Sequence, residues 1–256
     1  MSSIPSIHGH SAACCNIPPI VTDGYKAQGT YETIGGKKTY TVGPDDATKA
    51  IVYIFDIFGF KNQSIQGADI ISSSDHHNNY KVFIPDWFDG EPCSLSIFPP
   101  DTKEKKEALG AFLTKNAPPK NVEPLLAFVK VLKEKYPTIK SYGVVGFCWG
   151  GKVVSLVTSS DENPFAVGAE VHPAMVDPSD ATKIKVPLIM LASKDENAKD
   201  VADFESKLTG PHHVETFADQ IHGWMAARAD LSIERNKAEY SRGYKLLVEF
   251  YGKHLN

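Results

Sequence analysis

Short apolar runs alternate along this chain with polar stretches of helical character. The apolar runs occupy 50–55, 80–85, 142–145, 165–173 and 185–192. Such nearly continuous runs are typical of strands that helices cover on both faces. Residues 119–136 instead place their apolar side chains at helical spacing,. The alternation predicts an α/β fold with a mostly parallel central sheet flanked by helices.

Two segments near the start of the chain predict an antiparallel hairpin. Gly29–Ile34 and Lys38–Val42 alternate polar and apolar residues around Gly35 and Gly36. A glycine pair suits a tight hairpin turn because glycine tolerates positive φ. We therefore expect an antiparallel edge on the sheet. Residues 1–27 are predicted to form an N-terminal arm, and residues 28–256 a single α/β domain.

The run 142–145 leads into a glycine-lined turn that carries one cysteine. Gly146 and Gly150 stand two positions before and after Cys148. Without Cβ atoms at these positions the backbone can double back, which holds the intervening side chain in a strained and exposed pose. The pattern is the nucleophile elbow G-x-S-x-G with sulfur in place of the hydroxyl. A buried structural cysteine in a tight turn is the alternative. Further catalytic candidates along the chain are needed to distinguish the two interpretations.

An acid and a histidine follow Cys148 in the chain order that this elbow requires. Asp195 lies in the loop after the run 185–192, and His222 follows an alternating segment, 213–217. Their order predicts a Cys148–His222–Asp195 triad. Glu196 competes with Asp195 for the acid role, and Asp219 is a weaker candidate.

His172 is a rival for the general base because it ends the run 165–173 at the same edge of the sheet. His172 precedes the acid in the chain, whereas the chain order expected with this elbow places the base after the acid. We therefore expect His172 to contact substrate.

These segments together resemble the dienelactone hydrolase family, the carboxymethylenebutenolidase-like and cysteine-bearing branch of the α/β-hydrolases. The matching pieces are Phe55-Asp56-Ile57-Phe58-Gly59, Tyr80–Asp86, Gly146–Gly151, Asp195 and His222-Gly223-Trp224. They extend from about residue 28 to the end of the chain. Cys15–Pro19 is similar to an N-terminal segment of eukaryotic relatives, and the resemblance implies that it packs against the domain.

The carboxyl end of the run 50–55 adds two candidates to the site. Asp56 falls at the sheet edge where open α/β sheets bind their ligands. The resemblance implies a role in the proton balance of the cysteine, although the family has a glutamate here; a helix cap or a salt bridge is the alternative. The backbone N–H groups of Ile57 and Trp149 are the expected oxyanion hole, because preorganised amides stabilise a developing oxyanion.

Aromatic and basic side chains near these segments predict substrate contacts. Trp87 and Phe88 lie in an irregular, aromatic-rich connection, and Trp224 follows His222 closely. Long irregular connections often line pockets, although ordinary packing is the alternative for the aromatic residues. Arg228 lies near the position where the family holds the carboxylate of its substrate, so the resemblance implies a substrate contact there too.

The expected chemistry is hydrolysis of a small lactone or ester by acyl transfer to Cys148. A cysteine thiol has an unperturbed pKa of about 8.5 and needs a base, a cation or a helix N-terminus to form a thiolate. No metal or organic cofactor is implied. Two alternatives stay open: an isomerase or dehydratase acting on a lactone or polyketide, and a ligand-binding or redox-responsive relative in which Cys148 is oxidised.

The net charge and the cysteine content limit the expected binding partners and the expected cellular location. The formal net charge of −4 does not predict electrostatic binding to nucleic acid or to an anionic membrane. No stretch is apolar enough to span a bilayer. A small molecule is the expected partner of a monomer or homodimer. The first residues lack a secretory signal, and the four cysteines suggest no disulfide framework, so we expect a cytoplasmic protein. The crowded residues His8, His10, Cys14 and Cys15 do not reproduce zinc-finger spacing.

Overall fold

A computed structural model describes residues 20–75 and 77–256 of the chain. Its strands are β1 (Thr30–Ile34), β2 (Lys37–Val42), β3 (Lys49–Ile54), β4 (Tyr80–Pro85), β5 (Ser141–Phe147), β6 (Val167–Val171), β7 (Leu188–Ser193) and β8 (His212–Phe217). Its α-helices are α1 (Asn62–Ser73), α2 (Lys103–Lys115), α3 (Val122–Lys135), α4 (Trp149–Thr158), α5 (Pro178–Ala181), α6 (Ala198–Lys207) and α7 (Glu234–His254).

The strands form one sheet in the order β1-β2-β4-β3-β5-β6-β7-β8. Pairing is antiparallel from β1 through β2 to β4 and parallel from β4 to β8. This arrangement confirms the prediction of a mostly parallel sheet with an antiparallel hairpin at its edge. The parallel strands end at a common edge, and Cys148, His172 and Glu196 all lie within three residues of a strand end there.

Helices cover both faces of the sheet, which explains the continuous apolar runs. A Cβ added at Gly143 of β5 would meet Tyr251 of α7, whereas one added at Gly146 would meet the backbone of Gly150 in α4. The two glycines therefore face opposite sides of β5. Helices α1 and α7 pack together on one side, and α3 and α4 pack on the other.

The first helix begins and ends earlier than the sequence pattern predicts. We expect a helix over 67–79, and the structure has α1 at Asn62–Ser73. Its buried face includes Gln66 and Asp69, and these polar residues hide the apolar periodicity. The helix stops before Asp75, whose carboxylate accepts the backbone N–H of His77 at 2.9 Å.

The buried polar residues of α1 bind the segment that precedes the hairpin. Gln66 accepts the backbone N–H of Val21 at 2.7 Å, and Asp69 accepts the hydroxyl of Tyr25 at 2.6 Å and the N–H of Gln28 at 3.0 Å. Residues 20–28 therefore pack on the domain. Residues 1–19, which include Cys15–Pro19 and the predicted His and Cys cluster, lie outside the described residues. The boundary at 27/28 remains a prediction. In the described ranges no helix has both the length and the apolar character to cross a bilayer.

Candidate active site

Cys148 occupies the turn between β5 and α4. Its φ of 54° and ψ of −113° lie in a region that side chains rarely adopt,. The turn depends on close backbone approach, because a Cβ at Gly146 would lie 2.1 Å from the carbonyl oxygen of Gly150, and one at Gly150 would lie 2.4 Å from that of Ile54. The predicted strand-turn-helix elbow is therefore present, with Cys148 half-buried at its tip.

A second strained segment wraps around this elbow. His172 and Met175, just after β6, have φ values of 37° and 55°. The N–H of Cys148 donates to the carbonyl of Val171 at 3.0 Å, and the N–H of Ala174 donates to the carbonyl of Cys148 at 2.9 Å. Strained residues of this kind cluster at functional sites, so the end of β6 belongs to the site.

The loop after β8 brings the ring of His222 between the cysteine and a carboxylate. Nδ1 of His222 lies 2.6 Å from Oε1 of Glu196, and the ring also forms a hydrogen bond with Cys148. The other oxygen of Glu196 accepts the backbone N–H of Ser193. Cys148, His222 and Glu196 thus form one chain of contacts.

The predicted contact between Asp195 and the imidazole is corrected by the structure. Asp195 is exposed, and its carboxylate accepts the backbone N–H of His222 at 2.8 Å instead. Glu196 has one more methylene and folds back to the end of β7, where its side chain is only 4% exposed. Asp219, the weaker candidate, pairs with Arg235 at 2.5 Å.

The partners of His222 control its charge. Burial lowers the pKa of His222, but hydrogen bonds and charge interactions with Cys148 and Glu196 outweigh burial and raise it to about 10. The ring is therefore protonated at neutral pH. A cationic imidazole therefore lies beside the sulfur of Cys148, at the N-terminus of α4.

Asp56 connects two parts of the site through backbone hydrogen bonds. Its carboxylate accepts the N–H of Phe58 at 2.9 Å and that of Ala227 at 3.1 Å. Burial raises the pKa of Asp56 to about 6, against the lowering effect of these two amides. The side chain ties the end of β3 to the loop that follows His222. Its predicted part in the proton balance of Cys148 remains a prediction.

The two predicted oxyanion amides lie at the ends of neighbouring parallel strands, β3 and β5. Trp149 is the first residue of α4, so its backbone N–H has no acceptor within the helix. Ile57 lies in the turn after β3, and its carbonyl accepts the N–H of Cys93 at 2.8 Å. Their joint use as an oxyanion hole remains a prediction.

The aromatic residues predicted as pocket walls are packed in the core. Trp87 and Phe88 are each 4% exposed, and Trp224 is 2% exposed. The ring of Trp87 packs against Phe128 of α3, and that of Trp224 lies 4.2 Å from the ring of Phe217, centroid to centroid. Large apolar surfaces gain most from burial. The structure therefore places all three in the core rather than on a pocket wall.

Arg228 lies beside His222. Its Nη1 donates to the carbonyl of His222 at 2.6 Å, and the guanidinium sits over the ring of Phe98, 5.6 Å from the centroid. Among the described residues it takes part in no salt bridge. Its guanidinium therefore keeps donors for a further acceptor, and its predicted contact with substrate remains a prediction.

His172 lies against the same histidine and is completely buried. Its ring meets that of His222 edge to face, with centroids 5.1 Å apart. Burial, and then the positive charges of His222 and Arg228, hold the pKa of His172 well below its usual value. Neither ring nitrogen has a hydrogen-bond partner in the described part of the chain. His172 is therefore neutral.

His222 also lines a cavity of about 270 Å³. One wall is formed by residues 173–176 and the other by Asp195, Glu196, Asn197 and Asp200. The pattern of the sequence did not indicate the wall 173–176, because it is an irregular loop without periodicity. Residues 20–75 and 77–256 contain no group of three or more His, Cys, Asp and Glu arranged to hold a metal ion.

The fold and the elbow together define the molecule as an α/β-hydrolase. The family model described as "Dienelactone hydrolase family" matches residues 38–255. The chain therefore belongs to the dienelactone hydrolase family, and it is a hydrolase of that family.

Similar proteins span nearly the same length. An uncharacterized AIM2 family protein of Schizosaccharomyces pombe is 34% identical over 226 residues, which are 86% of this chain and 88% of the relative. The human carboxymethylenebutenolidase homolog is 30% identical over 233 residues, again 86% of this chain and 88% of the relative. Among solved structures, a putative dienelactone hydrolase of Klebsiella pneumoniae superposes with a TM-score of 0.63 at 15% identity, over 88% of this chain and 98% of that one.

Proposed function

We propose that this hydrolase cleaves a small lactone or ester by transferring its acyl group to the sulfur of Cys148. The observation that carries the proposal is the strained position of Cys148 at the N-terminus of α4, with the ring of His222 hydrogen-bonded to it. The names of the carboxymethylenebutenolidase homologs, which denote cleavage of a butenolide lactone, support this substrate class.

Acylation begins with attack of the sulfur on the carbonyl carbon of the substrate. The backbone N–H groups of Ile57 and Trp149 stabilise the negative charge that develops on the carbonyl oxygen. His222 is protonated and delivers its proton to the leaving oxygen. A thioester on Cys148 and an alcohol, or the opened lactone, result.

Deacylation uses the same groups with water as the nucleophile. Neutral His222 removes a proton from water, which attacks the thioester carbonyl. The C–S bond breaks, the acid leaves, and the proton stays on His222 beside the thiolate. Glu196 supports both steps, because its carboxylate at 2.6 Å fixes the ring and stabilises its charged form,. Asp195 positions the loop through the backbone N–H of His222.

Asp56 acts in this mechanism by holding the two halves of the site together. Its bonds to Phe58 and Ala227 join the oxyanion turn to the loop that carries His222. Because two backbone N–H groups already donate to the carboxylate of Asp56, a positioning role is better supported than direct proton exchange with the sulfur of Cys148.

Arg228 gives the substrate a further point of recognition. A guanidinium outside the salt bridges of the described residues, next to His222, suits a substrate that carries a carboxylate or another anionic oxygen near its reacting carbonyl.

The proposal predicts that Cys148→Ala abolishes turnover without unfolding the protein, because Gly146 and Gly150 set the turn. We expect hydrolysis of p-nitrophenyl acetate and of a simple aromatic lactone to fall by about 10³-fold or more. Intact mass after rapid mixing should show an acyl adduct on the wild-type protein and none on the variant. Circular dichroism confirms that the fold is retained.

Cys93→Ala is the matched control, because Cys93 is the other free cysteine among the described residues and is buried. It should keep both the turnover and the adduct. Retained ester hydrolysis in Cys148→Ala would overturn the assignment of the nucleophile. A product that lacks ¹⁸O after reaction in labelled water would point instead to isomerisation or dehydration.

A further inference from the structure

His172 combines three features that its role in packing does not explain. The residue is completely buried, both ring nitrogens lack a partner among residues 20–75 and 77–256, and its backbone has a φ of 37°. A buried polar group without a hydrogen bond destabilises the fold, and positive φ at a residue other than glycine adds strain. A histidine kept under these conditions needs a partner that the described chain does not supply.

The position of His172 points to the reacting centre. Its backbone N–H donates to the carbonyl of Leu191 at 2.7 Å, which fixes the residue at the end of β6. From there its ring packs between Phe147, with centroids 5.8 Å apart, and His222, with centroids 5.1 Å apart. A hydrogen-bonding group held by His172 therefore lies close to the base of the reaction.

The charge state of His172 limits what it can do. Burial and the positive charges of His222 and Arg228 keep the ring neutral, so it cannot accept a proton in competition with His222. A neutral imidazole offers one N–H donor and one acceptor nitrogen. Water can match both, because it donates and accepts.

We propose that His172 holds the water molecule that releases the acyl group from Cys148. The inference rests on the proposed function, since it assigns the nucleophile of the deacylation step. Water held by a nitrogen of His172 and by His222 attacks the thioester carbonyl. His222 takes one proton from that water, the C–S bond breaks, and the acid and the thiolate form. His172 orients the water and neither gains nor loses a proton.

The test separates acylation from deacylation in His172→Phe, which keeps an aromatic ring against His222 and removes both nitrogens. With p-nitrophenyl acetate in stopped flow, the burst of nitrophenol should form at nearly the wild-type rate. Steady-state turnover should fall about tenfold or more, as expected for the loss of a hydrogen bond to a reacting group. Intact mass should show acetylated Cys148 accumulating, and hydroxylamine should restore turnover because it does not depend on the held water.

His172→Gly and His172→Asn complete the set, because both residues accept positive φ readily. His172→Gly should repeat the slow release and decides the question if His172→Phe does not fold. His172→Asn keeps an amide that can bind water and should recover part of the release rate.

The inference is overturned if the burst and the steady state slow by the same factor, which indicates a structural effect, or if only KM changes, which indicates contact with the substrate. A wild-type protein that hydrolyses the ester without acetylating Cys148 contradicts the proposed function itself. The two failures are thus distinguishable.

Discussion

Two neighbouring carboxylates after β7 hold His222 in different ways. Glu196 contacts the ring, and Asp195 contacts the backbone N–H of the same residue. We predict that Glu196→Gln lowers kcat by about 100-fold or more, because the imidazolium loses its anionic partner. The pKa of His222, now about 10, should fall for the same reason. The pH dependence of kcat and kcat/KM for an aryl ester measures both effects.

Asp195→Asn is the matched control for this prediction. The asparagine keeps a side-chain oxygen that can accept the N–H of His222, so kcat should change only a few-fold. If Asp195→Asn proves the more damaging variant, the acid role returns to Asp195.

At the scale of elements, the junction between β5 and α4 depends on backbone contact. A Cβ at Gly146 would lie 2.1 Å from the carbonyl oxygen of Gly150, a backbone atom that cannot rotate away. We predict that Gly146→Ala lowers the free energy of unfolding by about 3 kcal/mol or more and removes activity, because the helix must shift away from the strand. Urea unfolding and ester turnover measure the two effects.

Gly110→Ala in α2 makes the same chemical change where nothing lies within 4 Å of the added Cβ. Alanine is favoured over glycine inside a helix by about 0.5–1 kcal/mol, so this variant should be slightly more stable than the wild type. An unaltered unfolding midpoint in Gly146→Ala would show that α4 can separate from β5 at little cost.

For the whole molecule, Glu170 makes stability depend on pH. The side chain is 1% exposed between β6 and α4, where it accepts the hydroxyl of Ser155 at 2.7 Å. Burial raises its pKa from 4.5 to about 8, while Ser155 opposes the shift. The pKa of Glu170 is higher in the folded protein than in the unfolded chain. The proton on Glu170 therefore stabilises the folded state fully below about pH 4.5, and this stabilisation is lost as the pH rises through 8.

We predict that Glu170→Gln removes this loss, because glutamine stays neutral and can still accept from Ser155. At pH 9 the free energy of unfolding of the variant should exceed that of the wild type by an amount on the order of 4 kcal/mol, whereas at pH 4.5 the two should be similar. Urea unfolding at both values measures the difference. Glu134→Gln, at an exposed position of α3, should follow the wild type. A Glu170→Gln profile parallel to the wild type would show that Glu170 is already ionised in the folded protein.

The amino-acid sequence determined the class of fold and the elbow, because both depend on short-range patterns. Continuous apolar runs such as 142–145 form strands buried on both faces, and the glycines around Cys148 permit a turn that other residues cannot make. The order of Cys148 and His222 along the chain then placed both at one edge of a parallel sheet, where the structure finds them.

Only the tertiary structure decided which side chains meet. Asp195 and Glu196 are neighbours in the chain, and the direction of the backbone after β7 turns one outward and the other to His222. Trp224 follows the histidine closely and yet packs in the core. Asp56 bonds an amide 171 positions away. Hydrogen bonds depend on distances of tenths of an ångström, and the packing of distant segments sets those distances, which no local pattern encodes.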